Sequence, residues 1–148
     1  MLSDCEVVSV DEFIVNQLRG DLHCWNGVDW ARLEREVLRP ASEGASVIEY
    51  GVYDWSTDCV TKTRQIELPR LLIIEGVGLL RPELTPYFDL KVLLDVPLEI
   101  AMNRGMQRDR EQYGVDFEHE WRDVWSINDR EYFEKYKPME SADFVLSI

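Results

Sequence analysis

Two short apolar runs, each ending in an acidic residue, limit the folds open to this chain more than any other feature. Residues 7–10 read Val-Val-Ser-Val and lead to Asp11, while residues 71–74 read Leu-Leu-Ile-Ile and lead to Glu75. Aliphatic runs of this kind are typical of strands buried on both faces of a parallel sheet. Ligands bind beyond the carboxyl ends of such strands, so the sequence predicts an α/β, doubly wound parallel sheet with Asp11 and Glu75 at its binding edge.

Helices and strands alternate along the rest of the chain. Asp29 is a good N-cap for a helix that Pro40 is expected to end. Two consecutive runs rich in β-branched and aromatic residues predict a small β-hairpin, inserted as an excursion from the sheet. The predicted strands are 6–10, 46–53, 61–68, 70–75, 90–96 and 143–146, and the predicted helices are 29–39, 97–113 and 118–137. This order supports the doubly wound fold.

Composition and charge exclude several classes of protein. With 148 residues, 45% hydrophobic content and no linker-like stretch, the chain is expected to form one domain over residues 1–148. The formal charge of −13 argues against nucleic acid as a partner, because nucleic-acid binding depends on Lys and Arg. Three widely spaced cysteines and two histidines suggest neither disulfides nor a zinc site. No apolar run approaches the roughly 18 residues of a membrane span, and we expect a cytoplasmic protein.

Asp11 and Glu75 are the first candidates for chemistry. Taken singly, an acidic residue after a strand is more often a cap or a turn residue. If the two strands are neighbours, however, both side chains lie at one edge of one crevice. One carboxylate could then accept a proton from a substrate hydroxyl, and the other could hold Mg²⁺ through water.

An arginine cluster lies on the predicted helix 97–113. Arg104 and Arg108 are four residues apart, so their like charges face each other unless an anion lies between them. Arg110 follows two residues later. Guanidinium groups suit phosphate oxygens, which makes these residues candidates for phosphate binding. The alternative is local pairing with nearby carboxylates, namely Glu99, Asp109 and Glu111.

The turn of the predicted hairpin carries Tyr53, Asp54 and Trp55. These side chains could stack on and hydrogen-bond a base or a sugar. Aromatic residues at a hairpin tip are as often packing residues, so both interpretations stay open. His23 and His119 are assigned structural or solvated roles.

Several of these segments occur together, and in this order, in one known family. They are Ser9-Val10-Asp11-Glu12-Phe13, Val52-Tyr53-Asp54-Trp55, Ile73-Ile74-Glu75-Gly76, Asp95-Val96-Pro97, Arg104 to Arg108-Asp109, and Ser141-Ala142-Asp143-Phe144-Val145. With this ordered set the chain resembles the uridine kinase family of P-loop kinases over nearly its whole length. The resemblance implies a P-loop kinase-type fold and transfer of the γ-phosphoryl group of ATP to the 5′-hydroxyl of a nucleoside, with Mg²⁺.

The resemblance also implies roles for single residues of the first half of the chain. Asp11 matches the family's catalytic base, and Glu75 matches its Walker B-type acid near the metal. Both are therefore candidates for holding Mg²⁺ through water. Tyr53 and Trp55 match aromatic residues of the nucleoside pocket, and Asp54 between them is a further substrate-binding candidate.

The arginines are matched in the same way. Arg104 and Arg108 match lid arginines that reach toward phosphates and substrate. The resemblance thus implies a catalytic and ATP-binding role for Arg108 and a substrate-binding role for Arg104. Arg110 is a further candidate for ATP binding.

Two departures from the family pattern matter. The family commonly has a histidine at the position of Asp58, so recognition of a pyrimidine is left open. The phosphate-binding pattern G-x-x-x-x-G-K-[ST] is absent from the 148 residues. The chain is therefore interpreted as starting before strand two of the family fold, without strand one and the phosphate loop. Strand one normally lies between the strands predicted at 71–75 and 90–96, so we expect an open core and a poor or inactive kinase.

Three functions stay open on this basis. The first is a nucleoside kinase represented by an incomplete chain. The second is a non-catalytic remnant that binds a nucleoside or a partner protein through exposed sheet edges. The third is a related P-loop kinase with another small-molecule acceptor, such as nicotinamide riboside or pantothenate. Unpaired strand edges also make a homo-oligomer plausible.

Overall fold

The structure is a computed structural model that describes residues 4–15 and 23–147. Its internal contacts group into two compact units. Among the described residues, the first unit comprises 4–15 and 26–79, and the second comprises 23–25 and 80–147. The expectation of a single domain over residues 1–148 stays a prediction.

The first unit contains a parallel strand pair and an antiparallel hairpin. Strand β1 (Cys5–Ser9) is followed by a 3₁₀ turn (Val10–Phe13). The hairpin consists of β2 (Val47–Asp54) and β3 (Cys59–Glu67), with a register shift between Val52 and Tyr53. Strand β4 (Leu71–Glu75) then pairs with β1 in parallel. The predicted hairpin and both predicted strands are confirmed, with bounds that differ by one or two residues.

The helix after Asp29 is longer and less regular than the sequence predicts. It consists of α1 (Trp30–Leu33), a π-helical turn (Glu34–Leu38) and α2 (Arg39–Ser42). Asp29 caps it as predicted, because its Oδ1 accepts a hydrogen bond from the backbone N–H of Arg32 at 2.9 Å. The prediction that Pro40 ends the helix is wrong. Pro40 has no backbone N–H to donate, and the helix continues past it directly after the π-helical turn, where the Arg39 N–H donates to the Glu34 carbonyl oxygen.

The core of the first unit lies between β1, the hairpin and the helix. Its fully buried apolar side chains are Val8, Val10, Phe13, Leu33, Val37, Ile48 and Tyr50. The expectation that β4 is buried on both faces is wrong, since Leu71 and Ile73 are 43% and 39% exposed. Within the described residues, β4 pairs with β1 alone, and the two residues share one uncovered face of that pair.

The second unit combines helices with another parallel strand pair. Its strands are β5 (Val92–Asp95) and β6 (Phe144–Ser147), paired from Val92 with Phe144 to Asp95 with Ser147. The helices are α3 (Leu98–Arg108) with a π-helical turn (Asp109–Tyr113), α4 (Glu118–Glu120) with a π-helical turn (Trp121–Trp125), α5 (Ser126–Tyr136) and α6 (Pro138–Ser141). The helices predicted over 97–113 and 118–137 are thus confirmed.

Six strands in the described part of the chain form three separate pairs, two parallel and one antiparallel. The prediction of an α/β fold with parallel strands and a small antiparallel hairpin is confirmed. None of the described helices has the length and apolar character that crossing a membrane requires.

Candidate functional site

The two candidate carboxylates lie at the same end of one strand pair. Strands β1 and β4 are parallel neighbours, and their register places Ser9 beside Glu75. Asp11 follows two residues later, in the 3₁₀ turn. Both acidic residues are exposed. The condition that the sequence analysis set, that the two strands be neighbours, is therefore met.

Local backbone geometry brings the two strand ends close together. The Ser9 side chain caps the 3₁₀ turn, since its Oγ accepts a hydrogen bond from the Asp11 N–H at 3.3 Å. Gly76 directly follows Glu75 and has a φ of +137°, a value that favours glycine. A Cβ at Gly76 would lie 2.6 Å from the Cβ of Val10. A side chain at position 76 would thus push the end of β4 away from the turn that carries Asp11.

The hairpin tip forms a small aromatic and acidic cavity of about 390 Å³. The rings of Tyr53 and Trp55 meet edge to face with centroids 5.7 Å apart. Tyr53 is buried and donates its hydroxyl proton to Asp58, whereas Trp55 is largely exposed. The cavity lining comprises Val52, Tyr53, Asp54, Trp55, Ser56, Thr61 and Lys62. Tyr53 is therefore a packing residue, and the contact of Trp55 with a ligand stays a prediction.

Asp54 is held in a fixed orientation at the edge of this cavity. Its Oδ1 accepts hydrogen bonds from the Ser56 N–H at 2.9 Å and from the Ser56 hydroxyl at 2.6 Å. These bonds lower the pKa of Asp54 below its ordinary value. The side chain is therefore an ionised acceptor that also stabilises the turn.

The three candidate arginines lie in the second unit, and two of them have acidic partners close in the sequence. Arg108 donates to the Asp109 carboxylate at 3.0 and 2.8 Å. Arg110 lies 3.1 Å from carboxylate oxygens of both Asp116 and Glu118. Arg104 is exposed on α3 and makes no ion pair with any residue that the structure describes. Of the carboxylates named in the alternative interpretation, only Asp109 pairs with one of these arginines, Arg108, while Arg110 pairs with Asp116 and Glu118 instead.

Asp109 itself has a structural role. It is buried, and its second oxygen accepts a hydrogen bond from Trp121 Nε1 at 2.8 Å. The carboxylate therefore joins Arg108 on one side to the indole on the other. Both histidines also pair with carboxylates, His23 with Glu131 and His119 with Asp123, each at 2.7 Å.

The residues that surround the Asp11 turn are not among those predicted from the sequence. Glu12, Arg32, Tyr50 and Arg64 form hydrogen bonds with one another or with the backbone there. Their positions in the sequence are far apart, so no local spacing connects them. The one available signal is the alternation in β2, which predicts that Tyr50 faces the core together with Ile48.

Magnesium binding at Asp11 and Glu75 stays a prediction, which the chemistry of the two carboxylates suits. Within residues 4–15 and 23–147, no group of three or more His, Cys, Asp or Glu side chains is arranged to hold a metal ion. Magnesium commonly keeps several waters and binds through one or two carboxylates. Asp11 and Glu75, exposed at one strand-pair end, fit water-mediated binding of this kind. The chain offers no glycine-rich phosphate loop, since the 148 residues lack the corresponding pattern.

Comparisons with known proteins agree with this fold. The model of the phosphoribulokinase/uridine kinase family matches residues 21–147. The structure is similar to one described as a possible uridine kinase from Bacillus stearothermophilus, with a TM-score of 0.67 and 24% identity over 97% of this chain and 72% of that one. It is also similar to phosphoribulokinase from Rhodobacter spheroides, with a TM-score of 0.65 and 14% identity over 97% of this chain and 60% of that one. The prediction of a P-loop kinase-type fold is thereby confirmed.

Proposed function

The chain belongs to the phosphoribulokinase/uridine kinase family, and from that membership we propose that it takes part in ATP-dependent phosphoryl transfer to a hydroxyl group of a nucleoside. Kinase-type transfer to a small molecule is what the family indicates. The observation that supports a site in this chain most strongly is the register of β1 and β4, which brings Asp11 and Glu75 to one end of a strand pair.

The two carboxylates have different tasks in this proposal. Asp11 accepts the proton of the acceptor hydroxyl, and its place in a turn beyond β1 leaves it open to a substrate. Glu75 holds Mg²⁺ through water at the end of β4. Bound ATP would supply the phosphoryl group, and Mg²⁺ would neutralise the negative charge of the phosphate oxygens.

The hairpin tip is the proposed acceptor-binding region. Trp55 is exposed enough to stack on a flat ring, and Tyr53 supports it from the buried side. Asp54 is ionised and can accept hydrogen bonds from sugar hydroxyls. All three residues belong to the same unit as Asp11.

The arginines are proposed to contact phosphate and substrate, with Arg104 the most available of the three. It is exposed and pairs with no described carboxylate. Arg108 and Arg110 would have to exchange Asp109, Asp116 or Glu118 for phosphate oxygens. For Arg110 this exchange costs little, because its partners Asp116 and Glu118 are exposed and exposed ion pairs contribute only about 0 to 1 kcal/mol. For Arg108 the exchange costs more, because it removes an ion-pair partner from the buried carboxylate of Asp109.

The position of Asp58 supports a second candidate function, phosphoryl transfer to a substrate other than a pyrimidine nucleoside. It accepts the Tyr53 hydroxyl proton at the edge of the aromatic pair, so an acceptor-only group stands beside the proposed ring-binding site. A ring that presents a donor or a positive charge on this side fits it better than a ring that presents only carbonyl oxygens. Nicotinamide riboside carries such a charge.

An acceptor panel with γ-labelled ATP and Mg²⁺ tests the proposal directly. Uridine, cytidine, nicotinamide riboside and pantothenate are each incubated with the chain, and labelled product is measured. ATP is used at millimolar concentration, because loss of three charge-assisted hydrogen bonds to phosphate would weaken binding about 10³-fold or more. Transfer to any nucleoside supports the proposal. Binding of a nucleoside without transfer favours the non-catalytic alternative. If a nucleoside is neither bound nor phosphorylated, both hypotheses are contradicted.

Replacement of the proposed base gives the sharpest test of the residue roles. Asp11→Asn keeps the shape of the side chain but cannot accept the proton, so turnover should fall about 10²- to 10⁴-fold. ATP affinity, measured by titration calorimetry, should stay within about twofold. Asp4→Asn makes the same change at an exposed carboxylate of the same unit and should leave turnover unchanged. Retained turnover in Asp11→Asn would remove that residue from the role of base.

The cellular setting is part of the same proposal. Cys5, Cys24 and Cys59 are all free thiols, which suits a reducing compartment such as the cytoplasm. The charge of −13 favours small cationic or metal-bound partners over nucleic acid.

A further inference from the structure

We propose that Glu12 is a positioning residue, which fixes the turn that carries Asp11 against the hairpin that carries the aromatic cavity. This inference rests on the proposed function, because it gives Glu12 its effect through Asp11. Its basis is a network of hydrogen bonds that reaches the turn from the helix and from both hairpin strands.

The side chain of Glu12 is held by two residues of the hairpin. Tyr50 donates its hydroxyl proton to Glu12 Oε2 at 2.6 Å. Arg64 donates to the Tyr50 hydroxyl at 2.9 Å, and its Nη1 lies 3.7 Å from Glu12 Oε1. Tyr50 is fully buried, so its hydroxyl depends on these partners. Burial, together with the bond to Glu12, raises the pKa of Tyr50 and keeps it a proton donor at neutral pH.

The backbone of Glu12 is held separately by the helix. Arg32, which is buried, donates from Nη2 to the Glu12 carbonyl oxygen at 2.9 Å and from Nη1 to the Gly51 carbonyl oxygen. Its guanidinium group also lies 4.5 Å from the centre of the Phe13 ring. The same ring stacks on Tyr50 at 5.3 Å. Residues 12 and 13 are therefore anchored from α1 and from β2 at once.

The position of Asp11 follows from these anchors. Asp11 is exposed, whereas Phe13 is buried, so the turn is fixed through its last two residues. The anchor Tyr50 lies only three residues before Tyr53, on the strand that leads into the cavity. Glu12 therefore connects the proposed base to the proposed acceptor site within one unit. A shift of about 1 Å between such groups can lower a rate by about 10²-fold.

Rates of single-turnover phosphoryl transfer to uridine test this connection. Glu12→Ala removes the acceptor of the tyrosine proton, and Tyr50→Phe removes the donor while keeping the ring stack. Each should lower the maximal rate by about 10- to 100-fold, while the ATP concentration that gives half of that rate stays within twofold. The double variant should be no slower than the slower of the two single variants, because both substitutions break the same hydrogen bond between Tyr50 and Glu12. Glu12→Gln retains an oxygen for Tyr50 and should recover part of the loss.

Glu34→Ala is the matched control. Glu34 lies in the same unit, its side chain is 29% exposed against 24% for Glu12, and it also pairs with an arginine, Arg39, at 2.6 Å. Its rate should stay within twofold of the unchanged chain. Equal rates in Glu12→Ala and Glu34→Ala, or strictly additive losses in the double variant, would overturn the positioning role.

A second measurement separates this inference from the proposed function. Backbone amide hydrogen exchange is followed by NMR in the unchanged chain, in Glu12→Ala and in Glu34→Ala. Faster exchange at residues 10–13 and 50–54 in Glu12→Ala alone supports the network, even if uridine receives no phosphate and the kinase proposal fails. Unchanged exchange at those residues overturns the inference whatever the transfer assay shows.

Discussion

Asp54 and Asp129 show how the surroundings of a carboxylate change its acidity in opposite directions. Hydrogen bonds from Ser56 lower the pKa of Asp54, which lies on the surface. Burial raises the pKa of Asp129, although Trp25 Nε1 donates to its Oδ1 at 2.9 Å. The first carboxylate is stabilised as an anion by its turn, whereas the second carries its charge at a cost in free energy.

The raised pKa of Asp129 gives a prediction about stability. A group whose pKa is higher in the folded state stabilises the fold fully below its unfolded pKa, about 3.9, and loses that contribution as pH rises through the folded pKa. At pH 7, Asp129→Asn should therefore raise the free energy of unfolding, since Asn keeps an oxygen for Trp25 without the charge. The gain should shrink as pH falls to about 3.5.

Urea unfolding followed by circular dichroism at both pH values measures this effect. Asp123→Asn is the control, because Asp123 is exposed and pairs with His119 at 2.7 Å. It should bring no gain at pH 7. A lower free energy of unfolding for Asp129→Asn at pH 7 would show that the bond to Trp25 requires the charge.

The strands and the hairpin could be predicted from the sequence because their signals are local. Aliphatic runs predicted β1 and β4, and two runs rich in β-branched and aromatic residues on either side of a polar turn predicted β2 and β3. Burial could not be predicted in the same way, because it depends on what packs against each face of a strand pair. Leu71 and Ile73 share a face of the β1–β4 pair and stay 43% and 39% exposed, which no run of residues reveals.

The residues of the candidate site also differ in whether the sequence could identify them. Asp11 and Glu75 could be named because each ends a predicted strand, and the register of β1 and β4 supports that reasoning. The network around Glu12 could not be named, since Tyr50 and Arg64 lie 38 and 52 positions further along the chain. Likewise, the sequence does not show whether Arg108 pairs with Asp109 or with a bound anion, because this depends on side-chain geometry.

The contact between α3 and the π-helical turn Trp121–Trp125 gives a prediction opposite in sign to the usual effect of replacing glycine by alanine in a helix. Gly105 lies inside α3, where replacement of glycine by alanine normally stabilises by about 1 kcal/mol. Here a Cβ would lie 2.2 Å from the ring of Trp121. Because the indole is also held by Asp109, Gly105→Ala should instead destabilise by about 1 to 3 kcal/mol.

Thermal and urea unfolding measure this change, and near-ultraviolet circular dichroism reports the environment of the tryptophan. Asn103→Ala, at an exposed position of the same helix, is the control for helix propensity and should be neutral or slightly stabilising. A stabilised Gly105→Ala variant would mean that Trp121 moves aside at little cost.

At the scale of the whole molecule, charge and exposed apolar surface act against each other. The net charge of −13 repels one copy from another. Each parallel strand pair nevertheless exposes large apolar side chains, namely Val7, Leu71 and Ile73 on the first and Val92, Leu94, Phe144 and Leu146 on the second. Apolar surface of this kind favours association in water. The homo-oligomer that the sequence suggested stays a prediction, and the balance between these two effects makes it testable.

Sedimentation velocity across a range of protein and salt concentrations tests that balance. We expect the chain to associate at tens of micromolar, and to associate more strongly as NaCl is raised from about 0.02 to 0.5 M, since salt screens the repulsion between copies. Leu94→Thr combined with Leu146→Thr keeps strand propensity while removing apolar surface from β5 and β6, and should shift the chain toward monomer.

Val60→Thr is the control, because Val60 is 48% exposed on the hairpin, close to the 56% of Leu94. Monomers at every concentration and salt would show that repulsion outweighs these surfaces, and equal effects of the two substitutions would show that association is not specific to the second strand pair.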